Sequence, residues 1–157
     1  MNMTMDELNF TAATLPVTLT THAPEETEAV GAALAALVEG DRSLPRFIAM
    51  YGDLGVGKTA FVRGMASALG YEGRVTSPTF TVVNEYRAKG EAVLLHFDMY
   101  RMTSADELFG IGWYDYLDMG AVCAVEWAER VAEALPPDTV EITIEGSGEM
   151  QRRITVK

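Results

Sequence analysis

Gly52-Asp53-Leu54-Gly55-Val56-Gly57-Lys58-Thr59 sets three glycines ahead of a lysine and a hydroxyl, at the spacing G-x-x-x-x-G-K-[ST] of a phosphate loop. The glycines let the backbone turn its N–H groups inward around a β-phosphate, where side chains would block close approach. Lys58 would neutralise β and γ oxygens, and Thr59 would offer its hydroxyl to Mg²⁺. A glycine-rich strand-to-helix turn with an incidental lysine shares some of this composition. It does not explain four fixed positions standing between a buried strand and a helix. The sequence has neither the guanine-reading Asn-Lys-x-Asp nor the switch sequence Asp-x-x-Gly, which favours ATP over GTP.

A nucleotide-bound magnesium ion needs carboxylates at the ends of strands beside the loop. Asp98 follows the apolar run Val93-Leu94-Leu95-His96-Phe97, and Glu126 follows Val122-Cys123-Ala124-Val125. One acid at a strand end is commonplace; two, in a chain with a phosphate loop, point to orientation of Mg²⁺ and an attacking water. His96 alternates to the face opposite Phe97 and reads as a satisfied structural histidine under a helix. Ser77-Pro78-Thr79-Phe80-Thr81 is a turn-forming segment. Its hydroxyls would sense the γ-phosphate if it folds over the site, or it is a plain strand-entry turn; spacing leaves both open. Met99, Met102 and Met119, with Trp113 and Tyr114, fit a core better than a partner surface.

The elements that must carry these groups are legible from periodicity. Val17–Thr20 alternates as a short strand, and Pro24 with Glu25, Glu26 and Glu28 opens a helix that Gly40 stops. Phe47–Tyr51 is an unbroken apolar run, as in a strand covered on both faces. Lys58–Leu69 reads as an amphipathic helix ended by Gly70. Further strands are expected at 80–86, 92–97, 121–125, 140–144 and 153–156, and shorter helices at 105–109, 114–117 and 128–135. This alternation specifies an α/β fold: a three-layer P-loop NTPase sandwich with a mainly parallel central sheet and antiparallel edge strands. Residues 1–15 read as a loose lead-in to a single domain spanning 1–157.

Bulk properties narrow the partners. The chain has 157 residues, enough for one ordinary domain, of which 48% are hydrophobic and 22% charged, as in soluble globular proteins. Twelve basic against 23 acidic residues give a net charge of −11, which repels nucleic-acid backbones, so the nucleotide must be held by local features. The single cysteine, Cys123, lies in an apolar run and reads as a core residue. No apolar stretch approaches the roughly 18 residues of a membrane span, and Met1–Leu15 lacks a signal-peptide core; a cytoplasmic location is the expectation.

Four segments together resemble the TsaE (YjeE) family, small ATPases of bacterial tRNA threonylcarbamoyladenosine biosynthesis. They are the phosphate loop, Ser77-Pro78-Thr79-Phe80, His96-Phe97-Asp98-Met99-Tyr100-Arg101 and Val125-Glu126-Trp127, in the family's order and at about its spacing. The resemblance implies that residues 52–60, including Ala60, hold ATP, with Lys58 as the phosphate lysine. It further implies Thr59 and Glu126 as Mg²⁺ ligands, Asp98 as the acid needed for hydrolysis, and Ser77, Pro78 and Thr79 as a switch. Thr27, in a Thr-x-x-x-Gly pattern with Gly31, and Arg153 are implied beside the adenine. Val56 stands where the family often has alanine, and Ala60 where a second threonine often follows, a lost hydroxyl near the α-phosphate. The family's role would be an ATPase, slow alone, that joins TsaD and TsaB and reaches tRNA only through them. A small-molecule kinase and a nucleotide-dependent interaction switch with negligible turnover are the competing readings. The kinase would need a basic lid, and the 12 dispersed basic residues suggest none.

Overall fold

A computed structural model describes residues 15–41, 46–52, 57–78, 82–136, 139–146 and 151–157. Its framework is a seven-stranded sheet that takes β1 (Val17–Thr21), β2 (Phe47–Tyr51), β3 (Val83–Ala88), β4 (Glu91–Asp98), β5 (Val122–Glu126), β6 (Val140–Gly146) and β7 (Arg152–Val156) in the order β1-β7-β6-β2-β5-β4-β3. The pairs β2–β5, β2–β6 and β4–β5 are parallel, whereas β1–β7, β6–β7 and β3–β4 are antiparallel. The strand with the unbroken apolar run therefore sits at the centre with parallel neighbours on both sides, and the antiparallel pairs fall at the two edges.

Among the described residues, two helices cover one face. In α1 (Pro24–Gly40), Pro24 lies in the first turn beside Glu25 and Glu26, where a fixed φ and negative charge suit the positive end of the helix. Glu26 also reaches back to accept the His22 N–H at 2.6 Å. In α2 (Lys58–Ala68), the apolar stripe of Phe61, Val62 and Met65 packs with Leu34 and Val30 of α1 onto Ile48 and Met50. The opposite face of β2, β4 and β5 is capped by two 3₁₀ segments, Ala105–Ile111 and Ala128–Ala134, and by a short helix, α3 (Trp113–Leu117). Trp113 centres this second core, with edge-on contacts to Phe47 and Phe97 at 5.6 and 5.0 Å between ring centroids. Among the described residues that cover stops short of β1, β7 and β6, where Thr18, Thr20, Glu141, Glu145 and Arg153 are exposed.

Several boundaries shift from the sequence expectation. The strand expected at 80–86 runs Val83–Ala88, and Asp98 and Glu126 are the last residues of their strands instead of the first residues beyond them. The segments expected as short helices at 105–109 and 128–135 are 3₁₀. Met99, Met102 and Trp113 are buried in the second core, but Tyr114 and Met119 are exposed. Among the described residues no helix is long and apolar enough to cross a membrane.

The two covering helices meet backbone to backbone. A Cβ added at Gly31 would lie 2.1 Å from the Phe61 carbonyl oxygen, and one at Gly64 would lie 1.9 Å from that of Glu28. Gly31 of the Thr-x-x-x-Gly pattern is thus a packing glycine, and the close crossing it permits brings Thr27 to the start of α2. Gly31→Ala and Gly64→Ala are each expected to destabilise the fold by about 2 kcal/mol or more, because rigid backbone must move. Gly40→Ala, with nothing within 4 Å of its new methyl, should be neutral or slightly stabilising. Urea unfolding of the three variants checks the contrast.

Candidate functional site

Parallel strands deliver their C-terminal residues to one edge of the sheet, and a helix that follows such a strand presents its N-terminal N–H groups to the same edge. Met50, Glu126 and Asp98 stand level across β2, β5 and β4. Adjacent strands are about 4.8 Å apart, so Asp98 and Glu126 lie side by side on one face. Gly52 and Gly57 bracket the loop with φ of 141° and 102°, backbone that favours glycine. Asp53, Leu54, Gly55 and Val56 lie outside the described residues.

Lys58 opens α2 and is only 6% exposed. Its Nζ donates to the Gly52 carbonyl at 2.8 Å and lies 3.6 Å from Glu126 Oε1. The other Glu126 oxygen, Oε2, is 2.5 Å from His96 Nε2. Burial, the largest single influence, would push the Glu126 carboxyl up; the hydrogen bond from His96, with the attraction of His96 and Lys58, outweighs it and holds the group below its ordinary value. Thr59 and Ala60 occupy the first turn of α2 beside Lys58. Asp98 Oδ1 accepts the Tyr100 N–H at 2.9 Å.

The remaining residues singled out in the sequence divide. Thr27 is buried, shares a 2.9 Å hydrogen bond with Thr21, and its methyl would be 3.8 Å from a Cβ at Gly57. It therefore adjoins the loop's C-terminal end. Arg153 reaches the same sheet edge on β7, separated from β2 by β6, and is exposed and ion-paired with Glu145 at 3.7 Å. Ser77 is exposed and Pro78 buried, and Thr79 lies outside the described residues. The Pro78 carbonyl accepts the Val82 N–H, and the Val82 carbonyl accepts the Asp98 N–H, both at 2.8 Å. The serine-proline turn is thereby tied by backbone to the strand end that carries Asp98. Val82 holds φ at 70°, strained for a β-branched residue.

His96 corrects the sequence reading. It does face the helix side, with 0% exposure, but it is not fully satisfied: among the described residues Nδ1 has no hydrogen-bond partner, and Nε2 is committed to Glu126. The signal was its position two residues before Asp98, which puts both on one face of β4; the partner on β5 was invisible without strand pairing. An aromatic cluster was also missed. Trp127 adopts a left-handed turn (φ 57°) directly after Glu126, its ring centroid 5.3 Å from Lys58 Nζ and 5.0 Å from the Tyr100 ring. Arg130 lies over both rings at 5.5 and 5.6 Å, within cation–π range.

Buried, hydrogen-bond-held Glu126 has a sign consequence for stability. Its folded pKa is below the unfolded value of about 4.3, so its ionised form stabilises the fold fully above that pH and the contribution is lost as pH falls through the lower folded value. The stability gap between wild type and Glu126→Gln is expected to be largest near neutrality and to narrow below about pH 4.3. Paired urea titrations from pH 7 to pH 3 measure it; a gap that widens in acid contradicts this account.

Comparison with known proteins bears on the whole arrangement. A family model described as threonylcarbamoyl adenosine biosynthesis protein TsaE matches residues 21–154. The tRNA threonylcarbamoyladenosine biosynthesis protein TsaE of Bacillus subtilis (strain 168) is 41% identical over 133 residues, covering 84% of this chain and 79% of that one. The protein of the same description from Treponema pallidum (strain Nichols) is 41% identical over 109 residues, covering 69% of this chain and 79% of its own. The crystal structure of YdiB from Bacillus subtilis is similar with a TM-score of 0.67 at 36% identity, over 89% of this chain and 83% of that chain. With a buried lysine at the head of α2, two level strand-end acids and this likeness over most of its length, the chain belongs to the TsaE family of threonylcarbamoyladenosine biosynthesis proteins.

Proposed function

We propose that this protein binds ATP with Mg²⁺ and hydrolyses it, as the nucleotide-driven component of tRNA threonylcarbamoyladenosine biosynthesis that supports turnover of a TsaB–TsaD complex in the cytoplasm. One observation carries the reading. A buried lysine at the head of a helix meets a buried carboxylate, and a second carboxylate stands level with the first on the neighbouring parallel strand.

Each group has a part that its position supports. The N–H groups of the first turn of α2 have no partners within the helix and are suited to phosphate oxygens, with the helix dipole adding attraction. Lys58 has three donor hydrogens, of which the Gly52 carbonyl occupies one, so it can contact phosphate without leaving the loop. Glu126 and the Thr59 hydroxyl are hard oxygen donors, the kind that complete a magnesium shell also filled by phosphates and water. Magnesium, when bound, neutralises charge that develops on the phosphate oxygens. Asp98 stands level with Glu126, and in this reading its carboxylate accepts a hydrogen bond from an attacking water. A net charge of −11 suits a protein that reaches tRNA through its partners instead of through a basic surface of its own.

Lys58→Ala is expected to weaken nucleotide binding about tenfold or more, the equivalent of one charge-assisted hydrogen bond, and to lower hydrolysis by about 10²–10³. Asp98→Asn should cost hydrolysis far more than melting temperature. The role is tested by threonylcarbamoyladenosine formation on tRNA over many turnovers with purified TsaB and TsaD and the enzyme that supplies the threonylcarbamoyl donor. Wild type should raise the yield well above the reactions with Lys58→Ala or no added protein. Equal yields in all three would rule the role out even if hydrolysis were found.

A further inference from the structure

His96 places a polar ring at a fully buried position, and among the described residues its Nδ1 has no hydrogen-bond partner. Buried polar atoms are nearly always hydrogen-bonded, so an exception calls for a cause. Here the cause lies at the other nitrogen. An ionised carboxylate only accepts, so the proton of the 2.5 Å contact belongs to His96 Nε2. An apolar side chain at this position would avoid the unpaired nitrogen but would remove the donor from Oε2 of a carboxylate only 5% exposed.

The two oxygens of Glu126 are held very differently. Oε2 has a short, buried hydrogen bond to a ring mounted on the neighbouring strand. Among the described residues, Oε1 has only Lys58 Nζ at 3.6 Å, beyond hydrogen-bond range, while that ammonium makes its 2.8 Å bond to Gly52. One oxygen is fixed and the other is exchangeable. Given the magnesium–nucleotide reading above, on which this inference rests, we propose that His96 is a positioning residue: it fixes Oε2 so that Oε1 alone turns from Lys58 to the metal. The carboxylate is then pre-set as a one-oxygen ligand, with no freedom to rotate away or to chelate through both oxygens. Partners that orient a metal ligand are commonly worth 10–100-fold in metal affinity.

The test measures nucleotide binding, not turnover. ADP is titrated by calorimetry into wild type, His96→Leu and His96→Gln over a range of MgCl₂ concentrations and in EDTA. Leucine fills comparable space without a donor; glutamine carries an amide N–H to nearly the reach of Nε2. His96→Leu should raise the Mg²⁺ concentration that half-maximally tightens ADP binding by about tenfold or more, with ADP affinity in EDTA unchanged within about twofold, and His96→Gln should recover most of the shift. If leucine does not fold, His96→Asn, whose amide is too short to reach Oε2, takes its place against glutamine. A folded donor-free variant with the wild-type Mg²⁺ requirement overturns the positioning role while leaving the nucleotide site intact. Weakened ADP binding in EDTA equal to that in Mg²⁺ overturns it also, as damage to the pocket. A wild type that binds ADP with no Mg²⁺ dependence removes the underlying reading, and the proposal with it.

Discussion

A lysine ammonium that is 6% exposed is the constraint around which this protein is arranged. A buried charge is tolerated only when paired and hydrogen-bonded, and Lys58 satisfies both needs with groups far apart in sequence: the carbonyl of Gly52 at the end of β2 and the carboxylate of Glu126 at the end of β5. Glu126 in turn needs the donor on His96 from β4. Three parallel strands and one helix are thus fastened at a single sheet edge by one chain of polar contacts. Loss of any member would leave its neighbours buried without balance.

The backbone around this chain is correspondingly committed. The Met99 N–H donates to the Glu126 carbonyl at 3.0 Å, and the Asp98 N–H to Val82, whose own N–H bonds Pro78. Hydrogen bonds therefore run from the serine-proline turn, through a strained Val82, to both strand-end acids. Strain of this kind persists only where surroundings over-determine it, and here it sits directly after the serine-proline segment, between that turn and the end of β4. The aromatic pair Tyr100 and Trp127, with Arg130 over both rings, forms the outer wall of the same edge. Tyr100 is 46% exposed, so this wall also faces solvent.

Much of the arrangement could be read from local sequence because the interactions that fix it are local. A strand, a glycine-rich segment and a helix are consecutive in the chain, so the spacing of Gly52, Gly57, Lys58 and Thr59 carried their placement between β2 and α2, and the apolar runs before Asp98 and Glu126 marked both as strand-end acids. The unbroken apolar character of Phe47–Tyr51 placed β2 inside the sheet. Short 3₁₀ segments and exact strand ends were less legible, since they depend on which side chains the neighbouring layer accepts. The shift of β3 to Val83–Ala88 follows its register with β4 and has no counterpart in its own periodicity.

The sequence by itself determined the α/β class, the central apolar strand, the helix that opens at Lys58 and the two acids at strand ends, because each rests on residues close together in the chain. Only the tertiary structure decided that Asp98 and Glu126 stand level, that Gly31 and Gly64 let two helices touch, and that Thr27 lies beside Gly57 while Arg153 stands two strands from β2. It also paired His96, read from the sequence as a satisfied structural histidine, with Glu126 through Nε2. Strand order and register join residues 30 positions apart in this case, and periodicity along one strand carries no record of which strand will lie next to it.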